Sequence, residues 1–253
     1  MNSNIFELEY RIPYYDVDYQ KRTLITSLIN YFNDIAFVQS ENLGGIAYLR
    51  QNNLGWVLMN WDIKVDRYPR FNERVLVRTS PHSFNKFFAY RWFEIYDKDG
   101  IKIAKANSRW LLINTEKRRP VKINDYLYWI YGVSYENNNN ILPIEEPQKL
   151  LSIDIEKQFE VRYSDLDSNG HVNNVKYVVW ALDTVPLEII SNYSLQRLKV
   201  KYEKEVTYGK TVRVLTGILS EQKTIVILHK IVDEDETELC FLESVWFLNE
   251  KLS

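Results

Sequence analysis

The chain has 253 residues, 45% of them hydrophobic, with 18 tyrosines, 11 phenylalanines and 7 tryptophans, which excludes a disordered chain and is enough for one large core or two ordinary ones. Its 32 basic and 34 acidic residues leave a net charge of -2, so no global field favours nucleic acid or an anionic membrane. A single cysteine, Cys240, excludes a disulfide framework and a cysteine-rich metal site, and we read it as a small apolar core residue.

In chain order, "MNSNIFELEY" lacks the basic region and apolar run of a secretory signal, and no segment reaches the roughly 20 apolar residues of a membrane span. The expectation is a soluble cytoplasmic protein without membrane insertion. A short strand, "ELEYRIPY", leads into the Asp-rich turn "YYDVDYQ". Leu24, Ile25, Leu28, Ile29, Phe32, Ile35 and Ala36 then recur at three- and four-residue steps and predict a helix that stops at Gly44-Gly45. Four strand-like runs follow, "GWVLMNWDIKVD", "RVLVRTSPHSF", "KFFAYRWFEIYDKDG" and "IKIAKANSRWLLIN", closely spaced and therefore antiparallel. The exposed turn "EKRRP" comes next, and then "ENNNNILPIEEPQKL", which reads as a linker.

The same order then repeats: "KQFEVRYS", the turn "YSDLDSN", a helix from about Asn173 to Pro186, and the runs "LQRLKVKYEKEV", "KTVRVLTGIL", "TIVILHKIVDED" and "LCFLESVWFLN". Asp16 and Asp18 match Asp165 and Asp167. "IKV" at Ile63 to Val65 matches "LKV" at Leu198 to Val200, and "SRW" at Ser108 matches "SVW" at Ser244. The expectation is a tandem duplication of an α+β unit, a helix wrapped by an antiparallel sheet, with residues 1–135 and 156–253 as the repeats and 136–155 between them.

The second turn, "SDLDSNGHVNN", is where the copies diverge. Asp-Asn-Gly clusters usually form turns, with Gly supplying positive φ and an Asn capping the next helix. Here His171 joins the cluster at a helix mouth, where backbone N–H groups could serve a developing oxyanion. The spacing of two between Asp167, Asn169 and His171 would put all three on one side of an extended backbone. The first copy keeps the aspartates but has Gln20 and Arg22 at the positions of Asn169 and His171. A turn needed for folding should survive in both copies, whereas a catalytic group need survive in only one. The chemistry is therefore expected in the second copy. His82 and His229, each alone in a strand, read as strand residues without chemistry.

The run "YSDLDSNGHVNNVKYVVWALD" resembles the active-site segment of the acyl-ACP thioesterases, the plant and bacterial enzymes that release fatty acids from acyl carrier protein. "LGWVLMNWDIKVDRYPRFNERVLVRT" and "KANSRWLLINTEKRRPVKI" resemble other segments of that family, and the likeness extends from Tyr10 to about Asn249. It implies a tandem, or double, hotdog fold, with an acyl-binding first repeat and a catalytic second one. It also implies hydrolysis of the thioester of a fatty acyl-[acyl carrier protein], without metal or cofactor. Position by position, the family's catalytic aspartate, asparagine and histidine fall on Asp167, Asn169 and His171, and its glutamate on Glu205, with Glu203 close by. The cysteine that often follows this glutamate is Val206 here, so an activated water is expected in place of a thiol. Glu205 or Asp167 would be the base, and a covalent acyl-carboxylate intermediate stays open.

Trp56, Met59 and Trp61 are candidate acyl-chain contacts beside the helix, and Lys117, Arg118 and Arg119 candidate contacts for an acidic carrier protein. No nucleic-acid partner is expected, and a homodimer is compatible with the sequence. The competing classes are an acyl-CoA thioesterase or other hotdog enzyme, and a non-catalytic acyl-binding module. The joint presence of Asp167, Asn169 and His171 argues against the last.

Overall fold

A computed structural model describes residues 4–221 and 223–249. The chain divides into two compact units, one holding the described residues up to Met59 and Val65–Ile144, the other Asn60–Lys64 and the described residues from Glu145 on. Both are α+β, each an antiparallel sheet with a helix against it.

In the first unit, β1 (Phe6–Arg11) leads through a one-turn 3-10 helix to α1 (Ile25–Asn42) and α2 (Gly45–Gln51). The strands β2 (Leu54–Val65), β3 (Arg74–Asn85), β4 (Phe88–Tyr96), β5 (Lys102–Asn114) and the two-residue β6 (Arg119–Pro120) follow, and then α3 (Asp125–Tyr131). The strand order is β1-β3-β4-β5-β2, with β6 also on β5. Leu24 precedes the helix as its N-cap and is exposed, whereas most of the apolar stripe predicted for α1 is buried, Leu28, Ile29, Phe32 and Ile35 being fully inaccessible. Each contributes about 1.5–3 kcal/mol relative to exposure.

The helix stops where Gly44 enters the left-handed region at φ 77°. Gly45 then opens α2, which the sequence reading did not anticipate. A Cβ on Gly45 would lie 2.7 Å from the Tyr131 hydroxyl and 2.8 Å from Ser40 Oγ, so α2 needs glycine there to reach α3. Leu49, Phe84, Leu112, Leu127 and Tyr131 form the core beneath these short helices.

The second unit contains β7 (Ile155–Glu160), α4 (Asn174–Leu182), α5 (Leu187–Asn192), β8 (Tyr193–Tyr202), β9 (Thr211–Glu221), β10 (Thr224–Asp233) and β11 (Glu238–Leu248). Its strand order is β8-β11-β10-β9-β7, and the Asn60–Lys64 part of β2 pairs with the free side of β8. Helix α4 packs on β9, β10 and β11 through Val175, Tyr177, Val178, Trp180 and Ala181. It ends at Leu182, short of the Pro186 stop the sequence suggested, and Pro186 instead sits at the N-cap of α5, a second helix the pattern had not signalled.

The segment from Glu145 is fastened to this unit. Asp62, Lys199 and Glu243 stand opposite one another across β2, β8 and β11. Glu145 pairs with Arg197 at 2.7 Å and with Lys199 at 3.1 Å, while the Gln148 N–H donates to Glu243 at 2.9 Å. The Arg197 and Lys199 cations hold the Glu145 carboxyl down at about 2. Farther on, a Cβ on Gly217 would meet the Ser152 carbonyl oxygen at 2.5 Å, so the chain lies directly on β9.

Candidate active site

The two Asp-rich turns share one hydrogen-bond frame. In the first unit Asp18 N–H donates to the Arg22 carbonyl at 2.8 Å, Lys21 N–H to the Asp18 carbonyl at 2.9 Å, and Leu24 N–H to the Asp16 carbonyl at 2.9 Å. In the second, Asp167 N–H donates to the His171 carbonyl at 2.7 Å, Gly170 N–H to the Asp167 carbonyl at 3.1 Å, and Asn173 N–H to the Asp165 carbonyl at 2.8 Å. The second aspartate of each pair organises its loop. Asp18 Oδ1 accepts the N–H groups of Gln20 and Arg22, both at 2.9 Å, and Asp167 Oδ1 accepts those of Asn169 at 2.8 Å and His171 at 3.3 Å.

The segment from Asp167 to His171 is therefore a closed turn, not the extended backbone that the spacing of two suggested. The aspartate carboxylate gathers the loop's donors, and the left-handed residue, Gly170 at φ 77° or Lys21 at φ 62°, reverses the chain. The other aspartate is buried in the second unit: Asp165 is inaccessible, pairs with Lys176 at 3.2 Å, and accepts the Arg162 N–H at 2.9 Å.

A second loop completes each site. Thr23 N–H donates to the Pro69 carbonyl at 2.9 Å and Val172 N–H to the Val206 carbonyl at 3.0 Å, and the bridges Arg22–Arg70 and His171–Thr207 correspond. The start of each loop also matches: Asp66 and Arg67 donate to the Ile103 carbonyl, Glu203 and Lys204 to the Leu239 carbonyl. These bonds set Asp66 against Glu203 and Tyr68 against Glu205, an offset of 137. The matched triplets "IKV" and "LKV", offset by 135, are thus two residues out of structural step.

The four side chains inferred from sequence form two contacting pairs in the second unit. Glu205 lies in the loop after β8, not in a strand, with Oε2 3.4 Å from His171 Nε2. Asn169 Nδ2 is 3.4 Å from Asp167 Oδ2. His171 and Glu205 are both partly exposed, with side-chain exposures of 29% and 34%, so water reaches them. Glu203 points elsewhere and pairs with Lys201 at 3.0 Å. In the first unit the same frame holds an ion pair, Arg22 to Asp18 at 3.0 Å, and the tyrosine Tyr68.

The α4 N-terminus is not an open anion site. Asn173 caps it, its side chain accepting the Val175 N–H at 3.0 Å and its carbonyl the Lys176 N–H at 2.9 Å. Those two amides, which the sequence reading offered to an oxyanion, already have partners within the chain.

The remaining candidates are dispersed. Trp56 and Met59 belong to the first unit and Trp61 to the second. Trp56 donates to the Tyr131 hydroxyl at 3.3 Å, and Trp61 is fully buried. Lys117, Arg118 and Arg119 are exposed at the β5–β6 turn, where the Lys117 N–H donates to Asn114 Oδ1 at 2.7 Å. Cys240 is inaccessible and burial pushes its thiol well up, and Val206 is buried. His229 is buried with Nδ1 3.0 Å from Thr216 Oγ1, and burial lowers its pKa to about 3.

Comparison with known proteins adds the family context. Residues 3–131 match the family model described as the acyl-ACP thioesterase N-terminal domain, and residues 148–247 the acyl-ACP thioesterase C-terminal domain. A chloroplastic palmitoyl-acyl carrier protein thioesterase of Gossypium hirsutum is 28% identical over 85% of the chain. The chain spans 55% of that protein's length. A Lactobacillus plantarum structure, provisionally assigned as an oleoyl thioesterase, superposes with a TM-score of 0.92 at 31% identity, covering 99% of this chain and 98% of that one. An acyl-ACP thioesterase from Bacteroides thetaiotaomicron superposes at 0.81 with 26% identity, covering 96% and 98%.

Proposed function

The chain belongs to the acyl-ACP thioesterase family, with its tandem hotdog fold, and on that premise we propose that it hydrolyses the thioester of a fatty acyl-[acyl carrier protein], giving a free fatty acid and the carrier thiol. The observation that carries this reading is the His171–Glu205 contact: it stands on a frame common to both units, yet only the second unit has it.

In the mechanism we propose, Glu205 is the general base. Asp167 Oδ1 already accepts two loop amides, which argues against Asp167 in that role. Glu205 takes a proton from water, the hydroxide adds to the thioester carbonyl, and the tetrahedral oxyanion is met by Asn169 Nδ2 and by His171. Collapse breaks the carbon–sulfur bond, and the proton held by Glu205 goes to the departing thiolate. His171 Nε2, beside Glu205, orients the water for the attack. With Val206 in place of a thiol and Cys240 buried, no cysteine is required.

We further assign acyl-chain binding to residues 1–135, with Trp56 and Met59 as contacts, and the chemistry to 156–253; Trp61, fully buried in the second unit, is left out of that assignment. Lys117, Arg118 and Arg119 are assigned to the acidic carrier, supported by their exposure on one turn. The location we propose is the cytoplasm, on the strength of the single buried cysteine; the Gossypium relative is named chloroplastic, and cell fractionation decides. Among the described residues no helix is long and apolar enough to cross a membrane.

The deciding experiment offers the purified protein dodecanoyl-, palmitoyl- and oleoyl-acyl carrier protein beside the matching acyl-CoA esters and measures free fatty acid and free thiol. Turnover of the carrier-protein substrates in preference to the CoA esters is expected. Binding without release of thiol would leave a non-catalytic acyl-binding module in its place.

A further inference from the structure

The loop that carries Glu205 is held from both sides by one side chain. Tyr177, on α4, accepts the Val206 N–H at 3.2 Å, and its hydroxyl lies 3.5 Å from the Lys204 carbonyl. Lys204 and Val206 are the two neighbours of Glu205. The ring is fixed in turn by edge contacts with Trp180 at 5.5 Å and Tyr202 at 5.8 Å.

We propose that Tyr177 is a positioning residue: its hydroxyl ties the Lys204–Val206 loop to α4 and so sets Glu205 at the distance from His171 that the reaction uses. This rests on the reading of Glu205 as the base given above. A phenol suits the task because one hydroxyl can accept an amide proton and donate to a carbonyl together. Burial keeps that phenol neutral, and so able to do both.

The first unit supplies the control. The frame puts Leu28 where the second unit has Tyr177, and Leu28 has no polar atom to offer a loop. The unit with no carboxylate at the Glu205 position also lacks the hydroxyl that would hold it. A purely structural tie between helix and loop would serve both units alike, whereas this one accompanies Glu205.

Tyr177→Phe keeps the ring contacts and removes one oxygen. Its kcat on palmitoyl-acyl carrier protein should fall about tenfold, the scale of one lost hydrogen bond, with KM changed by less than about twofold. The Val206 amide should exchange with solvent about tenfold faster, for the same reason. Tyr202→Phe is the comparison: it strips a neighbouring ring of a hydroxyl that donates to the Asn174 carbonyl at 3.0 Å and does not touch the loop, so its kcat should stay at the wild-type value. An unchanged kcat in Tyr177→Phe, or equal losses in the two variants, overturns the proposal. If the wild-type protein releases no fatty acid, the thioesterase reading falls by itself. The clamp is then judged by exchange, and a Val206 amide as slow in Tyr177→Phe as in wild type overturns it.

Discussion

Glu205 Oε2 stands 3.4 Å from His171 Nε2, and in the first unit the two equivalent positions hold Tyr68 and Arg22. A carboxylate–imidazole pair in one copy thus corresponds to two residues of the other that are poor proton acceptors at neutral pH. Arg22 stays charged and pairs with Asp18, and burial pushes the Tyr68 pKa up, so its hydroxyl stays protonated.

Removing either member of the pair should therefore abolish turnover and leave the fold. His171→Ala and Glu205→Gln are each expected to lower kcat by about 10²–10⁴, the range of a lost acid–base group. Both side chains are partly exposed, so the melting temperature should move by no more than a few degrees. Fatty acid release and a thermal melt on the same samples test this, and wild-type turnover by His171→Ala would sink the assignment.

The turn aspartates should behave as a matched pair. Asp18 and Asp167 each accept two loop amides, so Asp18→Ala and Asp167→Ala should each destabilise their unit by about 1–3 kcal/mol, the cost of leaving donors unsatisfied. Only the second substitution should also impair hydrolysis, because only that turn carries His171. Urea unfolding with an activity assay separates the two effects. A fully stable Asp18→Ala protein would contradict the shared frame.

Acid should weaken the second unit through His229. Burial holds its pKa at about 3, against 6.5 in the unfolded chain. The unfolded state binds the proton first, so stability is intact above 6.5 and falls as pH drops toward 3, with a limiting slope of about 1.4 kcal/mol per pH unit. Thr79 faces Phe93 across β3 and β4 as Thr216 faces His229 across β9 and β10. His229→Phe copies the first unit and should flatten that slope. A melting temperature measured from pH 7 to 4 reads the difference, and an unaltered acid slope would show that other groups dominate.

Gly217 reports on the chain preceding β7. Adding a methyl group should force the Ser152 carbonyl away from β9 and cost about 1–3 kcal/mol. In Gly217→Ala, limited proteolysis should find new cleavage near Leu150–Ile153; an unchanged digest would mean the chain does not lie there.

The parts of this fold that were legible are those with a long local period. The stripe of α1 and the alternating runs of β2–β5 and β8–β11 each extend over several repeats, and they emerged where expected. The helices α2, α3 and α5, of six or seven residues, are too short to show a stripe. Gly44 alone is the stop, and Gly45 already belongs to the next element. At the site, the divergence of Arg22 from His171 was visible because the repeat supplied its own comparison. Glu205 came only through family resemblance: its nearness to His171 depends on the Val172–Val206 hydrogen bond, which no local pattern encodes. The closed turn was missed because the spacing of two describes a strand, whereas a carboxylate collecting amides makes a loop.

The shared frame has a consequence for how such a molecule changes over time. The hydrogen bonds common to both copies run through the backbone and through Asp18 Oδ1 or Asp167 Oδ1, while the side-chain bonds of Arg22 to Asp18 and of Asn169 to Asp167 differ from one copy to the other. The socket and its contents are therefore nearly independent. One copy holds an arginine–aspartate ion pair and the other a histidine–glutamate contact on the same backbone bonds. Duplication has left two differently filled versions of one socket in a single chain, each free to drift while the scaffold beneath them stands still.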